Sequence, residues 1–375
     1  MKRTTRLNRW RVFICCLSLC CTTSFLSAQT IVIKKTATKS NNYGVTYFLP
    51  KTKIVVRVEM TKVTQKAGLY AMYASKYLGI NNAIMEDQQY YTLDKISAKS
   101  VGIADKDKEY LVVWNSKTIA PFLSLTEEGV ICAINAMYEF PAQDADNNPL
   151  NESPKKNKIS SESLLMEEYF RAGSTTKMAE VLSKQIYKIR ESRSDIITGD
   201  ADNAPRDGTS MRLVLEQLDD QEQALLDLFR GTSSEEKLVR QYEIEPLDDI
   251  EKEVIFRFSK HLGIVKADDL SGNPVYLNLT NTDPVASSVS ASTKKQSAKK
   301  ITATKGIVYN VPKQANVEIY YGTTRMFNGM LPVVQFGDTE ILTSNLLDDR
   351  KSTTKVYFYP ETGAIDHIVQ TGRKK

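Results

Sequence analysis

The chain begins its patterned region with period-two alternation. Val45, Tyr47 and Leu49 fall on one side of a strand, and Ile54-Val55-Val56-Arg57-Val58 continues as a β-branched run. Pro50 stands between them and predicts a strand end, because its ring cannot donate to a ladder. The period then changes. Leu69, Met72, Tyr73, Tyr77 and Leu78 recur at helical spacing between Gly68 and Gly79, which predicts one short helix. Tyr91, Leu93 and Ile96, then Tyr110–Trp114, then Val130–Ile134, return to strands, so residues 42–140 form a β-rich N-terminal module. Residues 141–162, rich in Pro, Asn, Asp, Ser and Lys, are a loop or linker.

Two apolar stripes follow, Met178-Leu182-Ile186-Ile189 and Leu215-Leu218-Leu225-Leu226-Phe229. The turn chemistry between them runs from Thr198 to Gly208. Gly199 suits a helix end, and Asp207 or Ser210 suits the next start. Residues 163–231 are therefore expected to form an antiparallel helical hairpin. Residues 232–280 are strand-like again at Val239–Ile244, Glu253–Phe258 and Val275–Leu279. Residues 281–304 are a Ser-, Thr-, Ala- and Lys-rich low-complexity linker. Residues 305–375 form a small β module that closes with a hairpin over Val356–Tyr359, Pro360–Gly363 and Ala364–Val369. The expected class is α+β, with strand-rich N- and C-terminal modules flanking a central antiparallel helical hairpin.

A faint repeat crosses this plan. Gly44-Val45-Thr46-Tyr47-Phe48-Leu49-Pro50-Lys51 resembles Gly306-Ile307-Val308-Tyr309-Asn310-Val311-Pro312-Lys313. The match stops at the lysine, which leaves duplication and convergent strand chemistry both open.

Composition matters once the first residues are set apart. Lys2, Arg3, Arg6, Arg9 and Arg11 precede an apolar stretch from Val12 to Leu26 and the small residues Ser27 and Ala28. That is the form of a secretory signal peptide over 1–28, followed by a polar lead-in over 29–41. The stretch of about 15 residues is short for a span of roughly 20, and no later segment reaches that length, so no transmembrane span is expected in the mature chain. Gln29 follows the cleavage point, where a lipid-anchored protein needs cysteine. The expected address is export through the inner membrane to the periplasm or an outer-membrane association. Those five cations account for the whole formal charge of +5, since 50 basic and 45 acidic side chains become 45 and 45. Lysines of the linker and tail lack interleaved aromatics, so nucleic acid is not an expected partner. Four of five cysteines also leave, and Cys132 remains among apolar neighbours as a small buried hydrophobe.

Enzyme chemistry finds little support. His261 and His367 are the only histidines, and neither has a His or Cys at ligand spacing, so no metal site is read. No dinucleotide fingerprint, phosphate loop or Gly-x-Ser-x-Gly elbow occurs, and no cofactor is called. The acidic turn Asp200–Asp207 misses the calcium-loop pattern, with Ala204 fifth and Pro205 sixth, and reads better as a capped helix turn. No catalytic residue is assigned. Binding candidates are the row Tyr70, Tyr73 and Tyr77, and the charged groups Arg190 and Glu191, Asp219 and Glu222 on the two helices. The tyrosines fit half-buried packing better than a sugar platform. The charges fit solvated helix faces with weak ion pairs better than a polar lock, since in the hairpin they fall near opposite ends unless the helices are offset.

Ile189-Arg190-Glu191, Arg193, Thr198-Gly199-Asp200, Pro205, Asp207-Gly208, Leu218-Asp219, Gln221-Glu222, Ala224-Leu225 and Leu228-Phe229 with Gly231 resemble the central signature of an exported family catalogued as domain of unknown function number 4831, typical of Bacteroidetes-type bacteria. The strand Tyr47–Pro50, the run Gln335-Phe336-Gly337 and the hairpin Tyr359-Pro360-Glu361-Thr362-Gly363 look similar too, so the resemblance spans about 42–371. Arg230 departs from the smaller polar residue expected there, and the linker is longer than usual. The resemblance implies an envelope location and an α+β architecture, and transfers no catalytic residue. The leading expectation is a non-enzymatic binding or assembly module for an envelope protein or glycan. The alternative is a hydrolase of an envelope or dietary polymer that uses acidic residues.

Overall fold

The computed structural model describes residues 31–34, 44–113, 122–140, 160–202, 207–282, 306–347 and 352–372. The signal segment, Trp114, most of the 141–162 linker, Asn203–Arg206 and the low-complexity linker from 283 onward lie outside the described residues.

Three antiparallel sheets and a helical lobe make up an α+β fold. The first sheet has the order β1-β3-β2-β6, from β1 (Ile31–Lys34), β2 (Gly44–Lys66), β3 (Gln88–Val113) and β6 (Thr232–Ile244). The second, β11-β10-β9-β7-β8, uses β7 (Ile250–Ser259), β8 (Gly263–Val265), β9 (Asn273–Asn281), β10 (Gly306–Tyr321) and β11 (Thr324–Thr343). The third, β13-β12-β5-β4, joins β4 (Leu123–Leu125) and β5 (Ile131–Ile134) to β12 (Ser352–Phe358) and β13 (Ile365–Gly372). Strands from the first and last β-rich segments thus share one sheet.

Pro50 does not end its strand. β2 runs through it to Lys66, and the proline sits at a register shift, where a missing ladder donor is tolerated. The shift also changes which side chains point inward. Tyr47 and Leu49 are buried before it, and Ile54, Val56, Val58 and Met60 after it. A one-residue change of phase turns a strand's apolar set to the opposite face, so one strand serves two cores. Ile54 to Met60 pack against Phe256, Leu277, Leu279, Val317 and Ile319 of the second sheet. Tyr47 and Leu49 pack with Tyr110, Ile131, Ile307, Val356 and Phe358 in the other core.

The second hairpin repeats this bend. Gly44 faces Val113 and Gly306 faces Thr343; Phe48 faces Glu109 and Asn310 faces Thr339; Lys51 faces Ile103 and Lys313 faces Val333. Each bend faces a four-residue excursion, 105–108 on β3 across from Leu49 and 334–337 on β11 across from Pro312, so the two differ by one position at the proline. The third strands agree as well: Ile54 faces Ile244 and Val58 faces Arg240, while Asn316 faces Thr280 and Tyr320 faces Tyr276. Even the starting glycines correspond. A Cβ on Gly44 would meet the Val112 carbonyl oxygen at 2.1 Å, and one on Gly306 the Leu342 carbonyl oxygen at 2.1 Å. The sequence repeat therefore marks two equivalent bent hairpins, extending well beyond the eight residues that match. They meet through buried polar bonds: Tyr47 Oη donates to the Val308 carbonyl at 3.1 Å and accepts its N–H at 3.0 Å.

The helical lobe sits at the tip of the first hairpin. Helix α1 (Ala71–Leu78) lies in the β2–β3 connection. A 3-10 turn (Ser161–Leu164) and α2 (Glu167–Arg171) lead to α3 (Thr175–Thr198) and α4 (Gly208–Arg230). A short α5 (Ser344–Leu347) follows β11. Leu182, Ile186, Leu225 and Phe229 of the two predicted stripes form the lobe's core with Tyr70 and Ala74. The β2–β3 connection is tied to the end of α4 where Tyr70 N–H donates to Leu228 O at 2.8 Å and Ile84 N–H to Arg230 O at 2.8 Å. Among the described residues no helix is long and apolar enough to cross a membrane.

Candidate functional site

Charged groups of the two long helices converge. Arg190 Nε donates to Glu222 Oε1 at 2.6 Å; Arg193 Nη1 lies 2.9 Å from Glu222 Oε2 and also bonds Asp219. The helices are offset, which is why these groups meet rather than fall at opposite ends. Arg190 stands about two turns before the end of α3, and Glu222 about four turns into α4. Glu222 is buried, while both arginines keep about a third of their side chains exposed. Arg190 also lies over the Tyr187 ring, 5.6 Å from its centroid. The cluster is a lock between helices. Glu191 is exposed on the neighbouring face and is not drawn into it.

Beside it an open depression of about 570 Å³ runs along α4, lined by Met211, Arg212, Leu215, Glu216, Asp219 and Asp220 among others. Its acids sit on one helix as one wall. A pair of facing carboxylates, as glycoside hydrolysis requires, is not what this wall offers. The acidic turn has structural duties. Asp207 Oδ1 accepts the N–H groups of Thr209 and Ser210 at 3.0 and 2.8 Å, and Asp200 Oδ2 accepts the Thr198 hydroxyl at 2.7 Å. The Ser210 hydrogen bonds hold the Asp207 carboxyl below its ordinary range, as an N-cap should.

The tyrosine row is divided. Tyr70 is fully buried against Phe229, with its hydroxyl 2.6 Å from that of Tyr169. Burial first, then the Tyr169 hydroxyl, push its phenol upward. Tyr73 and Tyr77 are half-buried, 6.2 Å apart; Tyr73 Oη accepts from Thr176, and the Tyr77 carbonyl accepts from Tyr187. All three hold α1 to the long helices.

Cys132 is buried in β5, and burial raises its thiol to about 11. Thiolate is the reactive species, so a mild aromatic disulfide reagent at pH 8 should leave folded protein of residues 29–375 unlabelled and titrate one thiol after unfolding. His367 stacks on Tyr357 at 4.3 Å and bonds Asp366 at 2.8 Å, far in sequence from His261. Among the described residues no group of three His, Cys, Asp or Glu could hold a metal.

One feature escaped the sequence reading. At the outer end of β4–β5, Phe122, Met137 and Phe140 are 52%, 80% and 55% exposed. Tyr138 packs edge-on to Phe140 at 5.0 Å. Asn135 organises this end from a left-handed conformation (φ 56°): its N–H donates to the Phe122 carbonyl at 2.7 Å and its side chain to Thr354 O at 3.0 Å. The available signal was a run of four bulky residues, Met137 to Phe140 with one acid, outside any strand pattern.

Residues 43–366 match the model of a family described as Domain of unknown function (DUF4831). No curated protein and no solved structure matches the chain.

Proposed function

The chain belongs to the DUF4831 family, and from that premise we propose that it is an exported cell-envelope protein that works by binding or assembly rather than catalysis. The observation that carries this reading is the exposure of Phe122, Met137 and Phe140 at one end of the β4–β5 hairpin, because large apolar side chains gathered at one end of a surface favour contact with a partner. The address rests on the signal-peptide form of residues 1–28. The hydrolase alternative draws on the α4 acids, and two of those carboxylates, Glu222 and Asp219, are already engaged by arginines.

A photocrosslinker placed at Phe140 of the full chain, in cells, should capture one envelope protein reproducibly. Met137→Ser with Phe140→Ser should abolish the capture while changing folding stability by no more than about 0.5 kcal/mol. No capture, together with loss of polymer turnover when the protein is deleted, would overturn the reading in favour of the hydrolase.

A further inference from the structure

The two bent hairpins are equivalent, but their outer edges are not equally covered. In the first sheet, β1 pairs with the end of β3: Ile31 faces Val113, Val32 faces Val112, Ile33 faces Leu111 and Lys34 faces Tyr110. The same positions on β11 are Thr343, Leu342, Ile341 and Glu340. There β11 is the edge of its sheet, with no strand beside it among the described residues. The difference shows in burial. Leu111 is 8% exposed beside β1, and its counterpart Ile341 is 36% exposed. Glu340, which replaces Tyr110, is exposed, with Oε2 accepting the Tyr309 hydroxyl at 2.7 Å.

The chain's own sequence does not supply a matching strand. Lys34 precedes Gly44 by the same distance that Gln296 precedes Gly306. Where the first hairpin has Ile31-Val32-Ile33-Lys34, the second has Thr293-Lys294-Lys295-Gln296, without an apolar residue. An open ladder with an exposed isoleucine is a template for strand addition, and edges are normally blunted by charged side chains, lysine above all, by proline or by a bulge. Residues 339–343 carry no lysine, proline or bulge, and their one charge, Glu340, leaves the edge open to a strand with a basic residue at that position.

We propose that the edge of β11 at Glu340–Thr343 is a docking site for an extended strand from another protein, antiparallel, with a run of β-branched residues and a basic residue beside Glu340. The molecule shows the required occupant in β1, whose sequence would place an isoleucine beside Ile341 and a lysine beside Glu340. Main-chain bonds would supply the attachment, and the isoleucine and the lysine–glutamate pair the selectivity. This names a partner class for the binding reading above, on a surface separate from the Phe140 cluster.

The probe is a fluorescent peptide with the sequence of residues 29–35, titrated into the purified full chain by anisotropy. Saturable binding is expected, with hydrogen-exchange protection appearing at 339–343. Glu340→Lys should weaken it at least tenfold, and a peptide carrying Lys34→Glu should recover that loss on the Glu340→Lys protein. The reciprocal exchange identifies the site, because the β3 edge has Tyr110 at that position. No binding, equal binding to the variant, or protection confined to 110–113 would overturn the proposal. Self-association of the chain that Glu340→Lys abolishes would overturn it in favour of a second copy as occupant. None of these outcomes touches the crosslinking result at Phe140, so the two readings fail separately.

Discussion

Asn310→Asp is expected to cost about 4 kcal/mol or more at pH 7, close to the whole stability of a marginal domain. Asn310 is fully buried at the bend of the second hairpin. Its Nδ2 donates to Pro50 O and Thr362 O, each at 2.9 Å, and its backbone N–H donates to Gly363 O at 3.1 Å. One side chain therefore ties the bend of the first hairpin and the closing turn to the bend of the second. An aspartate would aim a carboxylate oxygen at two carbonyl oxygens. Each lost bond leaves a buried acceptor unpaired at about 1–3 kcal/mol, and the charge adds its own desolvation.

The pH dependence follows from the direction of the shift. Burial and the facing carbonyls would raise the aspartate's folded pKa above the unfolded value of about 3.9. Below that value both states are protonated, the acid can donate one bond, and the penalty is smallest. As pH rises, the unfolded state ionises first and the penalty grows by about 1.4 kcal/mol per pH unit until the folded pKa is reached. Asn310→Leu should cost about 2–3 kcal/mol without that slope. Urea unfolding of both variants against wild type, at pH 4 and pH 7, checks the difference. A pH-independent penalty for the aspartate would show that water reaches the bend.

The α+β class and the helical stripes were legible because burial of one face leaves a period, 3.6 on Leu182-Ile186-Ile189 and 2 on Val56-Val58. Pro50 misled for a local reason. Its missing donor forbids a regular ladder, but a bulge removes the demand, and nothing in a single strand's sequence shows what its partner does opposite it. The equivalence of the two hairpins was hidden similarly. The register repeats through the whole hairpin, while identities survive at few positions: Gly44 and Gly306, where backbones approach closely, Pro50 and Pro312 at the bend, Tyr47 and Tyr309, of which only Tyr47 is fully buried, and Lys51 and Lys313. The charged residues were found by type, but their meeting depends on the offset of the two helices, which the turn 199–207 sets and no periodicity encodes.

That cluster supplies the second large effect. Glu222→Ala should destabilise the protein by about 2 kcal/mol, below the 3–5 typical of a fully buried pair, because water still screens the two arginines. Removing the carboxylate leaves Arg190 without its ion-pair partner and Arg193 with Asp219 alone. A lock whose work is structural can be replaced as a unit. The triple variant Arg190→Met, Arg193→Met, Glu222→Leu should recover wild-type stability to within about 1 kcal/mol, since apolar groups of similar volume avoid the desolvation of three charges. Thermal unfolding measures both arms, and crosslinking at Phe140 adds the functional one. Capture should be unchanged in the triple variant if the cluster only fixes the hairpin. Stability recovered with capture lost would mean that the arginines themselves meet the partner, and the helical lobe would then carry a second contact at the far end of the first hairpin from β4–β5.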